Sequence, residues 1–165
     1  MNAEDEKPLY ERFDTRAGFD QAVERLLDQS GRELRIFDPD LASLRLNDPE
    51  RVARIEGFLA ASRTRRVFIV VHSTDYVTRQ CPRMMTLLGR YSHAIQIHRS
   101  NEELRELQDA FLVLDAAHYV RRPAAQFFRG AIGLGDQNEG FEMRSRFLEI
   151  WAASFPAVSS TTAGL

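Results

Sequence analysis

The sequence contains very little cysteine and almost no lysine. One of its 165 residues is a cysteine, Cys81, so an internal disulfide and a metal site made of cysteines alone are both excluded. Lys7 is the single lysine among 22 lysine and arginine residues, and it lies near the start of the chain. A P-loop lysine, a Schiff-base lysine or another catalytic lysine in the body of the protein is therefore excluded. Anion binding would depend on arginine, which forms two parallel hydrogen bonds to phosphate or carboxylate.

A charge excess and a long apolar run are also missing. The formal net charge is −2 and the pI is about 6.1, which gives no general attraction to nucleic acid or to an anionic membrane. No apolar run approaches the roughly 18 residues that a membrane span requires. The acidic first residues, Met1–Lys7, lack the apolar segment of a signal peptide. These features predict a cytoplasmic protein, with no membrane partner, and they argue against nucleic acid as a partner.

The remaining composition is that of an ordinary globular domain. Hydrophobic residues make up 44% and charged residues 28% of the chain. A chain of this length can bury a core that is stable without disulfides or metals. We expect one domain at residues 14–155, a flexible leader at 1–13 and a flexible, Ser/Thr/Ala-rich tail at 156–165.

Helical and strand patterns alternate along this domain. Apolar residues at helical spacing predict helices at about 14–29, after Asp48–Pro49, after Pro82 and at about 138–153. Short apolar runs predict strands at 33–37, 66–71, 94–98 and 110–115, with one or two more at Tyr119–Val120 and Phe127–Phe128. The alternation predicts an α/β sandwich, in which a mostly parallel or mixed sheet of five to six strands is flanked by helices.

Four of the predicted strands end on polar side chains. Ligands of such sheets bind beyond the carboxyl ends of the strands, so these side chains define a candidate site if the strands are neighbours. The candidates for catalysis are Asp115, His72 and Asp38. The candidates for anion binding are Arg121, Arg122 and Arg99.

Each candidate also has a purely structural interpretation. Asp115 could close the strand end by bonding to backbone amides or to Arg121. Asp38 could form a turn stiffened by the following proline, instead of binding a cation or pairing with an arginine. His72 could act as a base oriented by Asp75, or the residues between them could simply cap the next helix.

No metal or cofactor is predicted from the sequence. His93 and His98 are five residues apart, a spacing that fits neither one helix face nor one strand face. Cys81 has no base visible near it in the sequence and is expected to be inert. The glycines at 130, 133 and 135 lack the strand, lysine and helix of a phosphate loop.

The order of elements resembles one half of the phospholipase D-like fold. It is similar, more narrowly, to the phospholipase D-like domains that are appended to bacterial acetyltransferases. The resemblance covers about residues 15–154 and is carried by Arg35–Leu41, Val67–Val71, Pro82–Arg83, Leu87–Ile97 and Phe111–Asp115. It implies an α/β half-domain and, because phospholipase D sites need two halves, a face that could pair with a second copy.

The sequence departs from the active members of that family at the catalytic motif. Those enzymes carry His-x-Lys-x4-Asp, in which histidine is the nucleophile and lysine binds phosphate. Aligning Asp115 with the motif aspartate places Gln108 at the histidine position and Ala110 at the lysine position. The resemblance therefore implies a fold without the family's phosphodiesterase chemistry.

Three functional hypotheses follow. The first is a non-catalytic phospholipase D-like module that acts by binding, including an anionic ligand, or by self-association as a homodimer. The second is a hydrolase or transferase that acts on a phosphate-containing substrate with a His/Asp/Arg site. The third is nucleic-acid binding through a local arginine patch.

Overall fold

The computed structural model describes residues 7–158. None of the helices in this range is long and apolar enough to cross a membrane. Its strands are β1 (Leu9–Phe13), β2 (Glu33–Asp38), β3 (Arg66–Val71), β4 (Ile95–Ser100), β5 (Ala110–Leu114), β6 (His118–Arg122), β7 (Gly130–Leu134) and β8 (Ser154–Val158). Its helices are α1 (Arg16–Leu27), α2 (Pro49–Ala60), α3 (Asp75–Gln80), α4 (Pro82–Arg90) and α5 (Gln137–Ala152).

All eight of these strands form one mixed sheet, in the order β1-β7-β6-β5-β2-β3-β4-β8. Only β2, β3 and β4 run parallel to one another, and the other neighbouring pairs are antiparallel. The predicted α/β class with a mixed sheet and flanking helices is confirmed. The predicted number of five to six strands is too low.

The sheet separates two apolar cores. The larger core packs the inward faces of α1, α2 and α4 against alternate residues of the central strands, including Ile36, Ile69 and Leu112. The smaller core packs α5 against the other face, with Phe37 and Phe111 at its centre. The strands are apolar on both sides because both faces are covered, as expected for strands in a sandwich.

The helix starts are set by the local sequence. Thr15 accepts a hydrogen bond from the amide of Gly18 at 3.0 Å and caps α1. Asp48 accepts one from the amide of Glu50 at 3.0 Å, and Pro49 then occupies the first helical position, where a missing amide costs nothing.

The strands that the sequence pattern missed lie at or next to the edges of the sheet. β1 pairs with β7, so residues 9–13 belong to the sheet and not to a loose leader. β8 pairs with β4, so the sheet also takes in residues 156–158 of the expected tail. Pro156 is accommodated because β8 is an edge strand, where an amide donor is not required. Residues 1–6 and 159–165 lie outside the described part of the chain.

Candidate functional site

Strand direction decides which polar strand ends meet. β2, β3 and β4 are parallel, so Asp38, His72 and Arg99 lie at the same edge of the sheet. β5 is antiparallel to β2, so its start, Ala110, lies at that edge and Asp115 lies at the opposite one. The expectation that Asp115 joins the other three strand ends is therefore wrong, because a run of apolar residues does not reveal the direction of its strand.

Asp115 closes the far edge of the sheet. Its backbone adopts the left-handed conformation, with φ of 53°. Its carboxylate accepts hydrogen bonds from the amides of Arg32 at 3.1 Å and Glu33 at 3.0 Å, at the start of β2. The structural interpretation of Asp115 is the one that its contacts support.

We expect Asp115→Ala to lower the free energy of unfolding by about 1–3 kcal/mol, because two backbone amides lose their acceptor. Alanine is also disfavoured in the left-handed region, whereas glycine is not. Asp115→Gly should therefore retain about 1 kcal/mol more stability than Asp115→Ala, because the left-handed conformation costs a residue with a Cβ atom about 1–2 kcal/mol. Urea denaturation followed by circular dichroism measures both, and an unchanged midpoint for Asp115→Ala would contradict this role.

A buried ion pair lies at the edge of the sheet that holds Asp38, His72 and Arg99. The Arg122 guanidinium donates to the Asp38 carboxylate at 2.9 Å, and the two side chains are 3% and 4% exposed. Asp38 also accepts hydrogen bonds from the amides of Leu41 at 2.7 Å and Asp40 at 3.2 Å. Burial raises the pKa of the Asp38 carboxyl, and the positive charge of Arg122 opposes that shift.

The two partners of the ion pair lie on strands on either side of β5, and the pair lies over a small residue of that middle strand. Arg122 on β6 is directly opposite Ala110 on β5. Asp38 follows Phe37, which is opposite Phe111, so Asp38 and Ala110 share the next row of the sheet. The ion pair thus spans β5 above the methyl group of Ala110, which is 3% exposed. A longer side chain at this position would meet the guanidinium.

Arg122 is fully used by the protein itself. Beyond Asp38, it donates to the Ser43 hydroxyl at 2.7 Å and to the carbonyl of Ala125 at 2.8 Å. Its guanidinium also lies 4.5 Å from the centre of the Phe19 ring, in a cation–π contact. An open cavity of about 260 Å³ lies beside the pair and is lined by Arg16, Asp38, Pro39, Asp40, Ala42, Ser43, Arg122, Ala125 and Phe128. Both terminal nitrogens of Arg122 are therefore hydrogen-bonded within the protein, which makes Arg122 a structural cation.

His72 lies on the other face of the sheet. Its Nδ1 is 2.7 Å from the Ser100 hydroxyl, and its Nε2 is 2.9 Å from the carbonyl of Leu107. Because a carbonyl only accepts, Nε2 donates to Leu107, and Nδ1 shares a hydrogen bond with the Ser100 hydroxyl. The ring also packs edge-on against Phe37. His72 therefore meets neither Asp38 nor Asp115, and both its nitrogens are occupied.

The two remaining arginine candidates are far apart. Arg99 packs over the ring of Phe155 on β8 at 5.1 Å. Arg121 lies on the α5 side of β6, at the border of an open cavity of about 560 Å³. The residues that line this cavity are Gln108, Asp109, Phe111, Arg121, Arg122, Pro123, Glu139, Glu142, Met143 and Arg146. The three arginines proposed for anion binding therefore do not form one cluster.

The other single residues considered above have structural surroundings. Cys81 is buried, and burial raises the pKa of its thiol, which disfavours a reactive thiolate. His98 stacks on Trp151 with ring centres 3.5 Å apart. Within residues 7–158 no group of three His, Cys, Asp or Glu side chains could hold a metal ion.

Sequence reasoning missed Ser43 and the significance of Ala110. Ser43 lies in a short turn after β2 and has no motif around it. The signal for Ala110 is a single small residue at the start of an otherwise bulky strand, Ala110–Leu114. Recognising what this small residue does requires the pairing register of three strands, which the sequence does not provide.

Comparison with protein families gives one match that spans most of the chain. The profile of a domain of unknown function, DUF7931, matches residues 15–160. The chain belongs to the DUF7931 family. No curated protein sequence matches it.

Solved structures of proteins described under other names have a fold similar to that of this chain. The phospholipase D family member Nuc from Salmonella typhimurium is 11% identical over 93% of this chain and 100% of that one, with a TM-score of 0.62. NucT from Helicobacter pylori is 11% identical over 92% of this chain and 100% of that one, with a TM-score of 0.61. The archaeal chromatin protein TrmBL2, described by its mode of DNA binding, is 10% identical with a TM-score of 0.64; the match covers 95% of this chain and 57% of TrmBL2.

At this level of identity the comparisons establish the fold. This DUF7931 domain has a phospholipase D-like fold, as the resemblance in the sequence implied. Two finer points stay predictions: the similarity to domains appended to bacterial acetyltransferases, and the loss of the His-x-Lys-x4-Asp motif.

Proposed function

We propose that this DUF7931 domain is a phospholipase D-like module that has lost the family's phosphodiester chemistry and acts by binding. The observation that carries this proposal is the row Asp38–Ala110–Arg122. The alignment of Asp115 with the motif aspartate puts Ala110 at the lysine position. In the folded protein the space above Ala110 is filled by an arginine that is already neutralised by Asp38.

The position of the nucleophile supports the same conclusion. Gln108 stands where the alignment expects histidine, and an amide side chain is not a nucleophile for phosphoryl transfer. His72 is the histidine among the catalytic candidates, but both its ring nitrogens are hydrogen-bonded within the protein. The alternative of a hydrolase or transferase with a His/Asp/Arg site is therefore disfavoured.

The test is hydrolysis of bis(4-nitrophenyl) phosphate by the purified protein, with a phospholipase D-family nuclease as positive control. We expect a rate equal to that of buffer at every protein concentration. Hydrolysis that rises with protein concentration, is lost in Gln108→Ala and is kept in Gln96→Ala, an exposed glutamine on β4, would overturn the proposal. Loss of that hydrolysis in His72→Gln instead would favour the alternative enzyme.

We also propose that the module pairs with a second copy of itself. α5 carries two large apolar side chains on its outer face, Phe141 and Leu148, which are 57% and 44% exposed and seven residues apart. Two turns of helix bring such residues onto one stripe, which a second copy could cover. Light scattering at high concentration should give twice the mass of the chain, and Phe141→Glu should shift it to a monomer. A monomeric mass for the unmodified protein would contradict the pairing.

A further inference from the structure

The cavity beside α5 lies between two walls of unlike charge. One wall is formed by β5 and β6, where Phe111 and Arg121 are directly opposite each other. Phe111 packs beneath α5, and opposite residues of paired strands share a face, so Arg121 is on the α5 side of the sheet. The other wall is α5, from which Glu139, Glu142 and Met143 line the cavity. Their spacing of three and four residues puts them on one stripe of the helix.

The other charged groups at this cavity are neutralised within the protein. Arg146 donates to the Asp109 carboxylate at 2.7 Å, and this ion pair connects α5 to the residue just before β5. Arg122 is paired with Asp38 across β5. These two pairs therefore add no net charge to the cavity.

Arg121, Glu139 and Glu142 differ from these pairs. Within residues 7–158, none of the three side chains forms an ion pair. Arg121 is half-buried, and the two glutamates are exposed. All three line one cavity, yet the charges on its opposite walls are too far apart to pair with each other. A ligand that carries both charges would contact both walls at once.

The two glutamates repel each other as well. They are three residues apart on α5, a spacing at which like charges destabilise a helix. The positive end of the helix dipole compensates Glu139, which lies in the first turn, but its influence has decayed at Glu142. An ammonium group bound between the two carboxylates would remove the repulsion. The helix wall therefore favours a cation, whereas Arg121 on the sheet wall favours an anion.

The cavity also has apolar surface. Phe111 and Met143 both belong to the smaller core, and both line the cavity. The volume of about 560 Å³ is within the range that small ligands occupy. A ligand of matching chemistry carries an ammonium, a carboxylate and an apolar group, which are the three parts of a free α-amino acid with an apolar side chain.

We propose that the cavity beside α5 binds a free amino acid with an apolar side chain. Arg121 holds its carboxylate through two parallel hydrogen bonds, and Glu139 and Glu142 hold its ammonium group. The apolar side chain packs on Phe111 and Met143. A polyamine is disfavoured because Arg121 would repel it, and a phosphate ester is disfavoured because the two glutamates would repel it. The proposal rests on the binding function proposed above and names its ligand class.

Calorimetric titrations with L-leucine, L-methionine and L-phenylalanine test the ligand class. We expect saturable binding of at least one of them by the folded protein. For each amino acid that binds, the analogue without the carboxylate and the analogue without the ammonium should bind about 10-fold more weakly or less, because each has lost charge-assisted contacts. For leucine these analogues are 3-methylbutylamine and 4-methylpentanoate.

Variants of the two walls test the assignment of each charge. Arg121→Met should weaken binding of the amino acid by about 10-fold or more and should not weaken binding of the amine. Glu142→Gln should weaken binding of the amino acid and of the amine, and should not weaken binding of the acid. Arg79→Met on α3 and Glu50→Gln on α2 make the same charge changes at exposed positions and should bind the amino acid normally.

Four results would overturn this site. They are no binding of any of the three amino acids, unchanged binding in both wall variants, equal weakening by the control variants, and tighter binding of the amine than of the amino acid. The hydrolysis assay uses a different compound and different variants. Failure to bind amino acids would therefore reject this ligand and leave the loss of phosphodiester chemistry standing, and hydrolysis would do the reverse.

Discussion

Replacing Arg122 by methionine is expected to lower the free energy of unfolding by about 3–5 kcal/mol, because Asp38 is then left as a buried charge without its partner. Both side chains are almost completely buried, and the guanidinium also holds Ser43 and the carbonyl of Ala125. Methionine fills much of the same volume but provides no donor. Urea denaturation followed by circular dichroism measures the loss.

A double variant separates two contributions to the lost free energy of unfolding: the unpaired charge of the buried aspartate and the missing arginine side chain. Asp38→Asn in the Arg122→Met background removes that charge, so the double variant should be more stable than Arg122→Met alone. Arg54→Met serves as the control, since Arg54 is exposed and pairs with Glu24 at 3.0 Å. Exposed pairs contribute about 1 kcal/mol or less. Equal losses for Arg122→Met and Arg54→Met would refute the structural role of the buried pair.

Adding one methyl group at Gly140 should destabilise the protein by about 1–3 kcal/mol or more, because it overfills a packed contact. Gly140 is in the first turns of α5, where a Cβ atom would lie 2.3 Å from the carbonyl oxygen of Ala116 in the β5–β6 turn. Both elements would have to shift, since the obstacle is backbone and not a flexible side chain. Gly140→Ala should therefore lift the start of α5 away from the sheet.

Gly57→Ala is the matched control for this variant. Gly57 is also in a helix, α2, but a Cβ atom there would have no neighbour within 4 Å. Alanine is favoured over glycine in a helix, so Gly57→Ala should raise the free energy of unfolding by about 0.5–1 kcal/mol. The pair of variants thus gives opposite signs for the same chemical change. A stabilising Gly140→Ala would show that α5 does not pack closely on the β5–β6 turn.

The helices could be located from the sequence because their signals are local. Thr15, Asp48 and Pro82 mark the starts of α1, α2 and α4, and most of the periodic apolar residues that follow are buried in the structure. The apolar strands β2, β3 and β5 were also located, since both faces of each are covered. β7 was missed because its two glycines look like a loop until Tyr119 is placed against one of them.

The candidate site was predicted only in part, because it depends on strand direction and on strand order. Asp38 and Arg122 were both candidates, yet nothing local indicates that they pair across β5. Asp115 was placed at the wrong edge for the same reason. Arg121 was a candidate, whereas residues 9–13 fell in the expected leader, because nothing local in the sequence indicates that they pair with β7.

The pairing of β1 with β7 also has a consequence for synthesis on the ribosome. β1 is made first, but β7 starts only at Gly130. At about 5–20 residues per second, roughly 6–25 s pass before the partner strand exists. Throughout that interval the backbone amides and carbonyls of Leu9–Phe13 lack their partner strand, and the polar side chains Tyr10, Glu11 and Arg12 oppose premature pairing. β1 can therefore join the sheet only after β2 to β6 and then β7 have been made.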